Sequence, residues 1–330
     1  MLLNKTQQVI ALFNVSFGKK YDQNAKPFSL KEWYDFGKWI KNNNIEIEEF
    51  LKKIPDKVEK DFDLNFVQRI SDLLSRGTTL ALCLEKWERA GIWLKFRNDA
   101  DYPSQLKKKL KGKAPVILFG VGDYSIVKGR YIGIVGSRNA TSNDLDFTEN
   151  LVKFLVKNSL NVVSGGAKGI DLKSMVACLE NGGNAIGFLG DSLLKQSISK
   201  QFRDFISSNK LLLLSSSNPE AGFSVGLAMQ RNKYIYCMSE KSVIVTCTPN
   251  KGGTWAGALE NHNNNWVQMY VQKSSDQKSG NSILENYNAI PIKNNKEEFN
   301  SILKETNVEH LKNQVIEKRI EKDEQKDLFE

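Results

Sequence analysis

Cysteine and histidine are scarce in this sequence, with four cysteines and two histidines among 330 residues. The cysteines stand far apart, at Cys83, Cys178, Cys237 and Cys247, and no C-x-x-C pair occurs. A zinc site or a disulfide framework needs closely spaced or paired ligands, so neither is expected. Catalysis through cysteine or histidine is disfavoured because so few candidates exist. We therefore expect no metal, no cofactor and no enzymatic turnover.

Long apolar runs are also missing. No stretch reaches the roughly 18 consecutive apolar residues that a membrane helix needs. The apolar stretch near the start runs directly into Lys19 and Lys20 without the small-residue cleavage site of a signal peptide. A composition of 40% hydrophobic and 26% charged residues, with only seven prolines, is typical of a globular protein with a sizeable core. We expect a cytoplasmic protein with no membrane partner.

Acidic residues are too few to balance the basic ones. Lys and Arg number 47 against 38 Asp and Glu, which gives a net charge of +9. The excess is unevenly placed, because residues 1–294 carry 40 basic and 28 acidic residues, whereas 295–330 carry 7 and 10. The body of the chain therefore has a net charge of +12 and suits a polyanionic partner.

The pattern of apolar residues divides the chain into four segments. Residues 1–90 show helical spacing and are expected to form a small helical module. The spacing is clearest at Trp33, Phe36, Trp39 and Ile40. Residues 91–130, with a lysine cluster at 107–113, are interpreted as a junction. An α/β domain is predicted for 131–294, and a charged helical tail for 295–330.

The tail contains apolar residues that could form one stripe of a helix. They are Val308, Leu311, Val315, Ile316 and Ile320. We expect a terminal helix that packs on its own domain rather than one that binds a partner.

From residue 131 onward, short apolar runs rich in β-forming residues alternate with helical ones. The predicted strands are Tyr131 to Val135, Leu160 to Val163, Ala185 to Leu189, Leu211 to Leu214, Tyr234 to Cys237, Val243 to Thr246, Trp266 to Val271 and Ala289 to Ile292. Strands separated by amphipathic helices imply right-handed βαβ crossovers. The predicted fold class is therefore α/β, with a Rossmann-like, doubly wound and mostly parallel sheet preceded by a small helical domain.

Three loops that follow predicted strands combine glycine with a basic residue. They are Gly136 to Thr141, Ser164 to Asp171 and Asn250 to Trp255. Ligands bind at the carboxyl ends of strands in open parallel sheets, so these loops should converge on one edge. A further basic pair lies just before a predicted strand. The candidate ligand-binding residues are Gly136, Ser137, Arg138, Asn139, Gly165, Gly166, Lys168, Gly169, Arg231, Lys233 and Lys251.

The loops do not match the common nucleotide-binding motifs. In the second loop Ser164 stands where the dinucleotide fingerprint has its first glycine, and no segment fits the P-loop pattern. Rossmann-like enzymes that cleave nucleotides at the glycosidic bond carry a glutamate where this chain has Gly257. Asp171 is the carboxylate nearest the predicted site and is expected to cap amides at a helix start. A non-catalytic sensor of a nucleotide-derived small molecule is one alternative that these loops leave open.

A series of short motifs resembles a known family. Gly91-Ile-Trp, Asn98-Asp-Ala-Asp-Tyr-Pro103 and Ala114 to Gly120 precede Ile134-Val-Gly-Ser-Arg-Asn-Ala-Thr141, Val163-Ser-Gly-Gly-Ala-Lys-Gly-Ile-Asp171 and Arg231-Asn-Lys. Their order and spacing over about 70–272 resemble those of the DprA/Smf DNA-processing proteins. In this chain Met175 replaces a family histidine, and Lys251-Gly-Gly-Thr254 replaces a Ser-Gly-Ser-Leu turn. The winged-helix module of many members is not recognisable.

The resemblance implies a Rossmann-like domain that binds single-stranded DNA without hydrolysing it. It also implies a homodimer that, in bacterial transformation, passes the strand to a RecA-type recombinase. Family residues that line the DNA groove correspond to Arg138 and Lys168 here. The residues themselves support a phosphate-binding groove, because basic side chains follow a phosphate backbone.

Overall fold

The protein is described by a computed structural model that covers residues 2–18, 21–22 and 26–304. The expected apolar stripe from Val308 to Ile320, and with it most of the predicted tail, lies outside the described residues.

The amino-terminal residues form a helical module, as the sequence predicts. Its helices are α1 (Lys5–Asn14), α2 (Leu30–Asn42), α3 (Asp56–Asp61), α4 (Leu64–Leu74) and α5 (Gly77–Arg89), with a 3₁₀ turn at Ile47–Leu51. Side chains set the starts of two of them: Asn4 and Ser29 each form a capping box that satisfies amides of the first turn.

Aromatic packing holds this module together. Phe13 lies at its centre, with ring centroids 5.4 Å from Phe28, 6.0 Å from Phe36 and 5.6 Å from Phe50. These contacts join α1 to the segment before α2, to α2 itself and to the 3₁₀ turn that follows α2. Buried rings of this size dominate the energy of a small core.

After this helical module, the described residues form one nine-stranded sheet. They are β1 (Ile92–Phe96), β2 (Ile117–Val121), β3 (Tyr131–Val135), β4 (Asn161–Ser164), β5 (Ala185–Leu189), β6 (Leu211–Ser215), β7 (Lys241–Ile244), β8 (Gln268–Gln272) and β9 (Ile290–Ile292). Their spatial order is β1-β2-β6-β5-β4-β3-β7-β8-β9. Strands β3 to β9 pair in parallel, while β1 and β2 add an antiparallel edge. The fold is therefore α/β with a mostly parallel sheet, as predicted.

Helices connect the strands and cover both faces of the sheet. They are α6 (Ser104–Leu110), α7 (Ser142–Lys157), α8 (Ile170–Glu180), α9 (Leu193–Ser197), α10 (Lys200–Ser207), α11 (Val225–Met238), α12 (Gly252–Asn264), α13 (Gly280–Glu285) and α14 (Lys296–Leu303). Alternate residues of β3 face opposite sides: Tyr131 and Val135 share a core with α11 and α12, whereas Ile132 and Ile134 pack with α7. None of the described helices combines the length and the apolar content needed to cross a membrane.

The order of the strands creates a switch point beside β3. From β3 the chain builds outward through β4, β5 and β6 in one direction, and then returns to place β7 on the other side of β3. The loops that leave β3 and β7 therefore diverge to opposite faces and open a crevice between the two strand ends. Ligands of doubly wound proteins bind in such crevices.

One predicted strand is wrong. The run Tyr234 to Cys237 lies inside helix α11, where every residue from Tyr234 to Met238 is buried. A short apolar run that is buried all round has no periodicity that separates strand from helix. Arg231 and Lys233 therefore lie on a helix rather than ahead of a strand. The strand predicted at Val243 to Thr246 is offset, because β7 begins at Lys241 and ends at Ile244.

The segment 91–130, interpreted as a junction, contributes both antiparallel strands to the sheet. Strand β1 pairs with β2, and β2 pairs with β6, so the α/β layer includes residues before 131. The lysine cluster in this segment is only partly solvated. Lys108 is exposed, but Lys109 Nζ donates to the carbonyl oxygen of Ser239 at 2.9 Å, and burial lowers the pKa of Lys109.

Candidate nucleic-acid interface

A cavity of about 810 Å³ opens at the switch point between β3 and β7. The loop after β3, the loop after β7 and one side of α11 form its walls. This volume lies within the range of small-molecule pockets and exceeds what a single phosphate group needs. We refer to it below as the switch-point cavity.

The loop after β3 brings Arg138 to the rim of the switch-point cavity. Ser137 shapes the turn, because its hydroxyl oxygen accepts a hydrogen bond from the Asn139 amide at 3.1 Å. Arg138 and Asn139 are both exposed. The Arg138 guanidinium carbon lies 5.2 Å from the centroid of the Phe223 ring, a cation–π arrangement.

The glycine-rich loop after β4 packs directly against the first loop. Gly169 has a φ of +90°, and a Cβ atom there would lie 2.4 Å from the carbonyl oxygen of Ser137. Only glycine permits both the backbone conformation and this close approach. Ala167 lines the cavity, and the neighbouring Lys168 is exposed beside it. The first two loops are thus brought together, as the sequence predicts.

The loop after β7 completes the ring of backbone around the switch-point cavity. Lys251 is exposed, lines the cavity and immediately precedes α12, whose first-turn amides receive no side-chain cap from it. Thr254 Oγ1 donates to the carbonyl oxygen of Gly136 at 3.1 Å and ties this loop to the first. Uncapped amides at the start of a 13-residue helix favour an anion.

Three exposed cations thus stand near one opening. None of the ion pairs found within the described residues engages Arg138, Lys168 or Lys251. Their charges are not neutralised by neighbouring carboxylates and remain available to an anionic ligand.

The structure places the other two predicted basic residues differently. Arg231 is only 7% exposed, and its Nη2 lies 3.0 Å from Oδ2 of Asp171 in a buried ion pair. Gly165 makes room for it, because a Cβ at that position would lie 1.3 Å from Arg231 Nη1. Lys233 is half-buried, lies 5.6 Å from the Tyr234 ring centroid and does not line the cavity.

Asp171 lies in the first turn of α8, as expected of a helix-start residue, but the amides it stabilises belong to the neighbouring loops rather than to the helix. Its side chain is buried in the wall of the cavity, where the backbone N–H groups of Gly136 and Ala167 favour the ionised carboxylate. Burial raises the pKa of Asp171, while the ion pair with Arg231 and the two amides act in the opposite direction.

Sequence reasoning missed an apolar rim of the switch-point cavity. Phe223, Val225 and Met229 line it, although they are 60%, 64% and 43% exposed. The available signal was a run of apolar residues after Gly222 in an otherwise polar loop. Exposed rings beside cations are suited to stacking on bases.

Within the described residues, no group of three or more His, Cys, Asp or Glu side chains could hold a metal ion. Cys247 lines the cavity, but burial raises the pKa of its thiol to about 12, so the thiol stays protonated at neutral pH.

A doubly wound sheet with basic, glycine-rich loops around a switch-point crevice defines a Rossmann-like protein. Residues 93–303 match the model of the family described as DNA recombination-mediator protein A. The chain belongs to this DprA/Smf family.

Curated relatives agree with this assignment over shorter segments. The DNA processing protein DprA of Streptococcus pneumoniae is 35% identical over 102 residues, which cover 30% of this chain and 36% of that protein. DprA of Bacillus subtilis is 33% identical over 134 residues, 40% of this chain and 45% of that protein. The matched segments thus span less than half the length of these relatives.

Two solved structures share the fold. The X-ray structure of S. pneumoniae DprA aligns with a TM-score of 0.61 at 18% identity and covers 88% of this chain and 95% of that one. Helicobacter pylori DprA, solved to describe its single-stranded DNA binding mode, aligns with a TM-score of 0.55 at 24% identity. That match covers 65% of this chain and 97% of the H. pylori chain.

Proposed function

We propose that this protein binds single-stranded DNA, without sequence preference and without cleaving it, at the switch-point cavity. The observation that supports this most directly is that Arg138 and Lys251 line one opening and Lys168 follows the lining residue Ala167, all three being exposed and outside the ion pairs described. Family membership and the subject of the H. pylori structure point to the same ligand.

The proposed division of labour follows from the chemistry of the walls. Basic side chains and the uncapped amides of α12 contact phosphates, which fixes the strand without reading its sequence. Phe223, held beside Arg138, offers a ring on which an unpaired base can stack. Such stacking favours single strands over duplexes, whose bases are already stacked.

The glycine positions among the candidate residues act through the backbone in this proposal. Gly136 and Gly169 let the first two loops pack closely, whereas Gly165 and Gly166 leave room for the side chains of Arg231 and Leu189, since a Cβ on any of these glycines would clash. They shape the groove and leave contact with the strand to the residues between them. Arg231 supports the groove through its buried ion pair with Asp171.

We expect the full chain to bind a labelled oligonucleotide of mixed sequence, and a second of unrelated sequence equally well, in fluorescence anisotropy. The salt slope is the slope of log affinity against log salt concentration, and each phosphate contact contributes about −0.7 to it. With about three contacts, affinity should fall about 20-fold between about 50 and about 200 mM salt. The oligonucleotide should be recovered intact, with or without added Mg²⁺.

A specific observation favours a second candidate function. The cavity volume of about 810 Å³ is large enough for a small nucleotide, so the protein could be a sensor of a nucleotide-derived molecule. Micromolar binding of AMP, together with no binding of the oligonucleotides even at low salt, would establish the sensor in place of the DNA-binding protein.

We also propose that the protein is a homodimer and that it delivers DNA to a RecA-type recombinase, as in bacterial transformation. Both proposals rest on family membership. Light scattering over a range of concentrations should give twice the mass of 37.3 kDa. A constant monomer mass at the highest concentrations would contradict the dimer.

A further inference from the structure

A buried carboxylate lies in the wall of the switch-point cavity and contacts three separate segments. Asp171, the second residue of α8, pairs with Arg231 of α11. The backbone N–H groups of Gly136, in the loop after β3, and of Ala167, in the loop after β4, also stabilise this carboxylate, and the adjacent amide of Ile170 donates to the carbonyl oxygen of Ser137 at 3.4 Å. It therefore joins α11 to the two loops that bear Arg138 and Lys168.

The amides of Gly136 and Ala167 lie very close in sequence to Arg138 and Lys168. Gly136 precedes Arg138 by two residues, and Ala167 directly precedes Lys168. Whatever fixes these two amides also fixes the backbone from which each cation projects. The close packing of Gly169 against Ser137 also holds these two loops together.

Stability alone does not account for this arrangement. Burying a carboxylate and a guanidinium costs about as much in lost hydration as their attraction returns, and apolar pairs of similar volume often serve as well. The side chains of Asp171 and Arg231 are only 7% and 8% exposed, so this cost applies to both. Arg231 Nη1 has no hydrogen-bond partner among the described residues, which makes the pair still less favourable as a purely stabilising feature.

We infer that Asp171 is a positioning residue, which holds Arg138 and Lys168 at a fixed separation that matches phosphates of a bound strand. This inference rests on the proposed DNA-binding function. Two exposed basic side chains on loose loops would lose conformational entropy when they bind, and loops fixed beforehand reduce that loss. Asp171 borders the switch-point cavity but is only 5% exposed, so it acts through its neighbours.

The test is a double-mutant cycle on the full chain with a labelled oligonucleotide. Asp171→Asn keeps the size of the side chain and removes its charge. It should lower the affinity of the folded protein about tenfold, but only about twofold when Arg138 and Lys168 are already alanine. The salt slope should also become shallower, because the cations no longer meet phosphates together.

Two further variants keep the test decisive. Asp171→Leu with Arg231→Met removes both buried charges at similar volume, so it should fold even if Asp171→Asn does not, and it should lose affinity to a similar degree. Glu240→Gln removes a carboxylate whose Oε1 lies 2.8 Å from Arg130 Nε, at the amino ends of β3 and β7 and so at the opposite end of these strands from the cavity. This variant should bind like the wild type.

The outcomes separate the inference from the function beneath it. If the folded fraction of both Asp171 variants has the affinity and the salt slope of the wild type, the positioning role is overturned while DNA binding stays intact. An equal loss in the wild-type and the Arg138, Lys168 backgrounds would also overturn it, since the effect would not pass through those cations. A wild-type protein that binds no DNA would overturn the proposed function and this inference together.

Discussion

Replacing both Arg138 and Lys168 with alanine is expected to lower the affinity for single-stranded DNA about 100-fold at low salt. Each lost charge-assisted phosphate contact is worth about 1.4 kcal/mol, or a factor of about ten. The plot of log affinity against log salt should become shallower by about 0.7 for each residue. Anisotropy titrations at several salt concentrations measure both quantities.

The fold should hardly change in this variant. Arg138 and Lys168 are exposed and belong to none of the ion pairs within the described residues, and such surface charges contribute little to the free energy of unfolding. Denaturant unfolding should therefore match that of the wild type. A loss of binding can then be assigned to lost contacts rather than to unfolding.

A matched control removes the same charge elsewhere. Lys108 and Lys113 are also exposed, lie in the lysine cluster and do not line the switch-point cavity. Their double alanine variant should bind DNA with an affinity close to that of the wild type. If it loses binding while the Arg138 and Lys168 variant keeps it, the DNA lies on the segment 91–130 and the proposed site is wrong.

Replacing Gly169 with alanine is expected to impair both the fold and DNA binding. Its φ of +90° is strained for any L residue, and the added Cβ would lie 2.4 Å from the Ser137 carbonyl oxygen and 2.9 Å from Arg138 Cα. Backbone strain and the clash together should lower the free energy of unfolding by about 3 kcal/mol. Because the clash pushes the two basic loops apart, the folded fraction should also bind DNA more weakly.

Gly182 provides the control for strain without a clash. It has a φ of +85°, and no atom lies within 4 Å of the position its Cβ would take. Gly182→Ala should cost about 1 kcal/mol and leave DNA binding unchanged. Urea unfolding and anisotropy of both variants make the comparison. Equal stability of the two, with wild-type binding in each, would show that loop contact at Gly169 is unimportant.

The regular part of the sheet could be predicted because its signals are local. Strands at Tyr131 to Val135 and Ala185 to Leu189 are short apolar runs between amphipathic helices, and both are observed at those bounds. The glycine-rich loops follow such strands, so their placement at strand ends was also predictable. The sheet's parallel character follows from the same alternation.

The antiparallel edge depended on distant pairing that no local pattern reveals. Strand β2 is held by β6, and Phe119 lies opposite Ser215 in that pair. A segment whose partner lies so far along the chain looks like a junction until the sheet is assembled. The helix at Tyr234 to Cys237 escaped prediction because burial on all sides removes the polar face that marks a surface helix.

By itself, the sequence determined the α/β class, the helical module ahead of it and the three glycine-rich loops with basic residues, because these depend on spacing over a few residues. Tertiary structure alone decided which basic residues remain free. Arg138 and Lys168 are exposed near the switch point, whereas Arg231 is buried in an ion pair with Asp171. An arginine's charge is the same in either place, and only the positions of its distant neighbours decide whether it meets solvent or a buried carboxylate.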